Sequence, residues 1–358
     1  MRWKGKIVCR LSLCMASVLS MGVVHAQSGV TLYGLMDGGL LYTSKTAGAG
    51  GQNEGHQFSA IDSGAEPTQF GLYGTEDLGG GLKAKFRLES GVSVMNGAFN
   101  DSNGNLFGRQ AYVALSGPYG EATIGLQFSP FFLALYETDA RGFSQFGSGV
   151  INYADGVLAT GIFNSNGIAY TSPRIYGFQG SALFAFGGRS GDFQAGRQYS
   201  AKLEYENGTL LLNAAVYSGN GGGAVQTPVP SNVEFWGRTF GATWKFGVVT
   251  AKVQFVNYKV AQSFNSNVYS GGLDWYAAPQ LDVNGGVWYT SDRNYTENHS
   301  LMGAVGATYF VSKRTALYAQ VAVVNNHGAM DTGLSLNGAL YGVRGTTAGA
   351  NIGMRQTF

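Results

Sequence analysis

Lys83, Lys85 and Arg87 occupy every second position of "GGGLKAKFRLESGV" (79–92), with Ala84, Phe86 and Leu88 between them. Cations alternating with apolar groups at period two belong to a strand with two unlike faces. In a soluble sheet the apolar face meets a core and the charged face meets bulk water. In an outer-membrane barrel the apolar face meets lipid and the cations line an aqueous lumen, where they act on passing ions. A second set of charges lies in 130–163, "PFFLALYETDARGFSQFGSGVINYADGVLATGIF", which carries Glu137, Asp139 and Asp155 with one base, Arg141. Acids on such a segment, opposed to bases on a wall, would set a transverse field across a passage and sort ions by charge and size.

Other constellations lack the partners their chemistry needs. His56, His299 and His327 show no metal-ligand spacing and read as surface or loop residues. "DSNGN" (101–105) begins like a calcium loop, but Tyr112 stands where that loop needs a bidentate Glu. "NHS" (298–300) cannot form a catalytic triad directly, because adjacent strand residues point to opposite faces. "GNGGGA" (219–224) lacks the Lys and the following helix of a phosphate loop and reads as a flexible loop. No nucleophile and base cluster together, so neither an enzyme nor a cofactor site is expected, and no metal. An adhesin would need larger exterior loops or a passenger domain.

The elements that position these charges begin after an expected leader. Residues 1–26 carry Arg2, Lys4, Lys6 and Arg10 without an acid, then "LSLCMASVLSMGVV" and the small-residue site "VHA", the pattern of a secretory signal peptide that leaves Gln27 first. Cys9 and Cys14 leave with it, so the exported chain has no thiol and no disulfide and must be held by its fold alone. Of 23 basic residues, the four in the leader depart; the remaining 19 against 21 acids give about −2, with no basic excess to attract nucleic acid. No remaining segment has 18 consecutive apolar residues, so no membrane-spanning helix is expected.

Residues 27–358 read as one domain. Alternating segments of roughly ten residues succeed one another, separated by turn residues, which is how a barrel reads. The short connections are "GGG" (79–81), "GPYGE" (117–121), "PRIYGFQG" (173–180), "ENG" (206–208), "FG" (246–247), "AAPQ" (277–280) and "VSKR" (311–314). Between them lie long loops, about 44–66, 93–106, 130–163, 188–197, 220–234, 261–266, 292–298 and 326–344. Seven short turns and eight long loops join sixteen strands, and closing such a sheet leaves no exposed edge.

The stretches "VTLYGLMDGGLLY" (30–42), "FGLYGTEDLGGGLKAKFRLESG" (70–91), "FGRQAYVALSG" (107–117) and "SKRTALYAQ" (312–320) resemble the general porins of Gram-negative bacteria, most of all those of betaproteobacteria such as Burkholderia and Bordetella relatives. The chain ends "NIGMRQTF", and the resemblance implies that Phe358 is the signal presented to the outer-membrane barrel assembly machinery. It implies an all-β, sixteen-stranded antiparallel transmembrane barrel in the cell outer membrane, among its lipid and lipopolysaccharide. It also implies a homotrimer, a third extracellular loop folded inward, and passive diffusion of small hydrophilic solutes and ions.

On that barrel Lys83, Lys85 and Arg87 face the lumen, because a basic side chain on the lipid face near mid-bilayer costs about 2–4 kcal/mol. The resemblance places Arg109 inside as well. Parity puts Lys202, Glu204, Asn351 and Arg355 inside, and Leu203, Tyr205, Ile352, Met354 and Phe358 outside. The constriction is expected from Glu137, Asp139, Arg141 and Asp155. This chain departs from the family at Gln69 ("TQFGLYG") and Leu126 ("GLQF"), where relatives commonly carry wall arginines, and near Phe163. Only a mild anion preference is therefore expected, with a substrate-selective channel as the alternative. The small residues Gly34, Gly38, Ala348 and Ala350, on the outward parity near the seam of first and last strands, are expected to admit a neighbouring subunit.

Overall fold

The computed structural model describes residues 29–156, 162–221, 232–260 and 263–358, and the expected leader lies outside them. The strands are β1 (Gly29–Thr43), β2 (Gln57–Asp62), β3 (Gln69–Gly79), β4 (Leu82–Gly91), β5 (Gln110–Gly117), β6 (Gly120–Gln127), β7 (Asn164–Thr171), β8 (Phe178–Ala185), β9 (Gln198–Glu206) and β10 (Leu210–Asn220). They continue with β11 (Glu234–Phe246), β12 (Val249–Val260), β13 (Asn265–Ala278), β14 (Leu281–Asp292), β15 (His299–Phe310), β16 (Thr315–His327), β17 (Thr332–Ser335), β18 (Ala339–Tyr341) and β19 (Gly345–Thr357). Two helices, α1 (Pro130–Thr138) and α2 (Gly149–Gly156), lie between β6 and β7.

β2 and β3 are two halves of one wall strand, both paired with β1, while β17 and β18 form a separate hairpin in the last long loop. The wall therefore has sixteen antiparallel strands. It closes where β1 pairs with β19, from Leu35↔Thr357 to Thr43↔Gly349. The period-two pattern explains each strand's two faces. In β16, Ala316, Tyr318, Gln320, Ala322 and Val324 are buried inward, while Leu317, Val321 and Val323 are 47–58% exposed on the outer surface. Glycine is required at the β3–β4 turn, where Gly79, Gly80 and Gly81 all have positive φ (85°, 62° and 81°).

The first long loop is shorter than the sequence suggests, because 57–62 is wall strand. Between β2 and β3 the chain bulges inward. Gly38 pairs with Asp62 and Leu35 with Gln69, so Met36 and Asp37 stand opposite six residues, 63–68. Asp37 is the cause. Its fully buried carboxylate accepts hydrogen bonds from the backbone N–H groups of Gly64 (3.2 Å), Ala65 (2.9 Å) and Glu66 (2.7 Å) and from the Tyr318 hydroxyl (2.6 Å).

The third loop folds into the barrel. Ser129 caps α1 by accepting from the Phe132 N–H (3.0 Å), and Pro130 opens the helix where a missing N–H costs nothing. Phe131, Ala134 and Leu135 of α1 are fully buried, with Phe131 against Tyr217 and Tyr258 of the inner wall (ring centroids 6.1 and 6.4 Å). Each such large side chain contributes on the order of 1.5–3 kcal/mol by leaving water. The wall also takes up the helix carbonyls: Gln254 donates to Leu135 O (2.9 Å) and Asn213 to Ala134 O (3.0 Å).

Two small residues on the outer surface pack against this chain's own side chains. A Cβ at Gly34 would strike the ring of Phe358 at 2.3 Å, and one at Gly38 would meet Val94 and Met95 at 3.2 and 3.4 Å. Both glycines therefore accommodate this chain's own packing.

Candidate functional site: a charged constriction

Between the inward loop, the 63–68 bulge and the facing wall lies a cavity of about 570 Å³. Five cations line it: Arg87, Arg109, Arg141, Lys252 and Arg355. Four acids stand among them, Glu66, Glu89, Asp274 and Asp282, a formal balance of +1. Phe128, Phe132, Tyr136, Phe143, Tyr276 and Phe310 supply the apolar part of the lining.

Strand parity carries the wall charges inward. Lys83, Lys85, Arg87 and Glu89 of β4 pair with Ser116, Ala114, Tyr112 and Gln110 of β5, while Ala84, Phe86 and Leu88 form the opposite row. The opening three cations are nevertheless not equivalent. Arg87 reaches the cavity and lies over the Tyr33 ring at 5.1 Å. Lys85 is paired with Glu121 (2.7 Å), and Lys83 is exposed nearer the short-turn end. Glu89 is 2% exposed and gathers three partners: Arg109 (2.9 Å), Arg87 (3.9 Å) and the Tyr33 hydroxyl (2.6 Å). This buried carboxylate offsets much of Arg109's charge. On the far side Arg355 pairs with Glu66 of the bulge.

The inward loop contributes a cation rather than acids, which corrects the expected pattern of loop acids against wall bases. Asp139 is fully buried and accepts from the N–H groups of Arg141 (2.9 Å), Phe143 (3.0 Å) and Gly149 (2.9 Å) and from Trp288 Nε1 (2.9 Å). A carboxylate with four donors folds the loop and starts α2; it presents no charge to the cavity. Glu137 turns to the opposite side of α1, where Lys202 (2.6 Å) and Asn213 (3.0 Å) hold it to the wall. Burial pushes Glu137 above the usual carboxylate range, against the pull of Lys202. Arg141 does face the cavity. Its guanidinium donates to Asn284 (2.8 Å), to Gln320, and to the carbonyls of Phe146 (2.7 Å) and Gly147 (2.9 Å). Burial lowers its pKa to about 10, with Asp139 and Asp282 opposing, so it stays charged at neutral pH. The side chain of Asp155 lies outside the described residues.

Gln69 lines the cavity, so the position to which the resemblance assigns a wall arginine is neutral here. Leu126 is different: it pairs with Ala111, which in turn pairs with Leu88 in the outward row. Phe163 packs on Phe128 (5.8 Å), and the Arg109 guanidinium lies 5.8 Å from its ring. Glu66, Lys252, Asp274 and Asp282 were not singled out from the sequence. The period-two rule would have placed the last three inside, but only the bulge, a non-local feature, brings Glu66 to them.

A closed barrel with apolar outward rows, narrowed by an inward loop over a charged cavity, defines a transmembrane channel of the outer-membrane type. Residues 13–329 match the Gram-negative porin family, and the chain belongs to it. It is 29% identical over 360 residues to outer membrane porin protein 32 of Delftia acidovorans, covering 97% of this chain and 99% of that one. An outer membrane porin of Bordetella pertussis is 29% identical over 359 residues, covering 87% and 92% of the two chains. Among solved structures, the anion-selective porin from Comamonas acidovorans superimposes with a TM-score of 0.80 at 27% identity, covering 93% of this chain and all of that one. The chain is thus a Gram-negative outer-membrane porin.

Proposed function

We propose that this porin is a passive, non-enzymatic channel for small hydrophilic solutes and ions, with a mild preference for anions. The observation that carries this reading is the cavity lining, in which five cations face four acids. Three of the cations are paired with carboxylates: Arg109 (2.9 Å) and Arg87 (3.9 Å) share Glu89, and Arg355 pairs with Glu66. Arg141 is held by neutral acceptors, and Lys252 has no ion-pair partner among the described residues. Their field therefore acts on ions in transit, which supports anion preference, while the near balance supports its being weak. The anion selectivity named for the Comamonas porin agrees in sign. The family resemblance further supports a homotrimer delivered by the barrel assembly machinery.

Single-channel recording in a planar bilayer tests this reading. Stepwise conductance, with a reversal potential on the anion side under a salt gradient, is the expected result. Absence of conductance from folded protein, or a cation-side reversal, would overturn it.

A further inference from the structure

The inward loop turns an apolar face to the passage, and the fold does not require one there. In α1, Phe131, Ala134, Leu135 and Thr138 are fully buried against the wall. The other side of the helix carries Phe132, Leu133 and Tyr136, which helical spacing brings together, and all three line the cavity. Leu133 is 39% and Tyr136 54% exposed, so neither stabilises the loop much by leaving water. Polar helix formers would serve equally well at both positions. Phe132 extends this face through Phe128 and Phe143, with ring centroids 5.3 and 5.7 Å away. The result is an aromatic shelf beside the aqueous path.

Charge stands on the other side. α1 is anchored on β9, β10 and β12 through Ser200, Asn213 and Gln254, on the eighth, ninth and eleventh strands of the wall. Arg87 on the third wall strand and Arg355 on the sixteenth line the cavity from across the barrel. Arg87 is the more open of the two. Its side chain is 37% exposed against 19% for Arg355, and its contact with Glu89 is long, 3.9 Å. The guanidinium lies over the Tyr33 ring, which leaves its edge of N–H donors for a planar carboxylate.

We infer that this constriction selects aromatic monocarboxylates, the ring lying on Phe132, Leu133 and Tyr136 and the carboxylate on Arg87. An inorganic anion uses only the guanidinium, and a neutral aromatic uses only the shelf. A solute with a ring and one carboxylate uses both, whereas a second carboxylate would be set unpaired against apolar surface. Such binding must stay weak enough for release, and a shelf open to water on its passage side keeps it so. The inference rests on the channel reading and names a solute class for it.

The test uses the intact, folded porin in a planar bilayer carrying chloride current, with benzoate, acetate or benzyl alcohol added at increasing concentration. Benzoate should reduce and roughen the current at a concentration about tenfold below that needed with acetate or with benzyl alcohol. Leu133→Gln with Tyr136→Gln retains helix-forming residues and should raise the half-blocking concentration of benzoate about tenfold, to that of acetate. Arg87→Gln should raise it for benzoate but not for benzyl alcohol. Equal block by benzoate and acetate in a conducting channel overturns the inference, as does undiminished benzoate block in the folded double variant. Block by benzyl alcohol as strong as by benzoate would mean that the shelf takes rings regardless of charge, and the carboxylate assignment fails. Absence of chloride current before any addition would instead overturn the channel reading, and the solute class with it.

Discussion

Tyr318 donates its hydroxyl to Asp37 across a sequence separation of 281 residues, at 2.6 Å, and so joins the fifteenth wall strand to the first beside the barrel seam. The same carboxylate holds the 63–68 bulge through three backbone N–H groups. Gly64 O of the bulge in turn accepts from Gln320 (3.1 Å) and Asn351 (2.8 Å), and Ala65 O from the N–H of Gln145 in the inward loop (2.9 Å). Both constriction elements therefore lean on one buried acid.

Asp37→Ala leaves those donors buried without an acceptor, and loss of a charged hub of this kind costs about 3–5 kcal/mol. The folded barrel should unfold at distinctly lower temperature or urea concentration, with a larger and noisier conductance as the bulge loosens. Tyr318→Phe removes one bond and should cost only about 1–3 kcal/mol. Equal stability of Asp37→Ala and the intact protein would mean the bulge is anchored elsewhere.

Asp139 supplies the parallel test on the inward loop. If its role is to gather four donors, Asp139→Ala should free the segment around α2, raising conductance and exposing the loop to protease while the wall stays folded. Reversal potential should move little at matched conductance, because the buried carboxylate does not face the cavity. A large shift in reversal potential with unchanged conductance would return Asp139 to the role of a field charge.

These two acids show where sequence reading succeeds and where it stops. The alternation in β4 is local, so the inward placement of Arg87 is legible from seven residues, and counting such segments yields the sixteen-stranded wall. Asp139 looks like any loop acid, because one of its donors, Trp288, lies 149 residues away. The bulge "SGAEPT" reads as ordinary loop, since nothing in 63–68 reveals that Asp37 draws it inward. Parity says which face a side chain takes. Only the folded chain says which charges are already neutralised, as Lys85 is by Glu121.

Phe358 has a structural place in addition to its expected role in assembly. Its N–H donates to Gly34 O (3.0 Å), the Gly34 N–H donates back (3.2 Å), and its ring covers the Gly34 Cα. Deleting Phe358 should therefore reduce folded, outer-membrane-located protein and also lower the stability of whatever barrel forms. Gly34→Leu, which displaces the ring without removing it, should impair stability more than delivery. Equal yields and equal stability for the intact and truncated chains would contradict both roles.

Selectivity should depend on which lining charges remain unmatched. Glu66 masks Arg355, so Glu66→Gln should move the reversal potential further toward anions without unfolding the bulge, which is held by the Glu66 backbone rather than its carboxylate. Lys252→Glu and Arg87→Glu should each move it toward cations. Lys85→Glu should do less than Arg87→Glu, because Lys85 sits outside the cavity, beside Glu121. All shifts should shrink with salt but persist, since a Debye length of about 8–10 Å at ordinary ionic strength is comparable with a narrow passage. Phe86 and Leu88 are untouched in the β4 variants, so the barrel keeps its outward face and should fold. If Arg87→Glu leaves the reversal potential of properly folded channels unchanged, ions do not pass by this wall. If Lys85→Glu alone reproduces the full shift, the selective point lies nearer the short-turn end than the cavity.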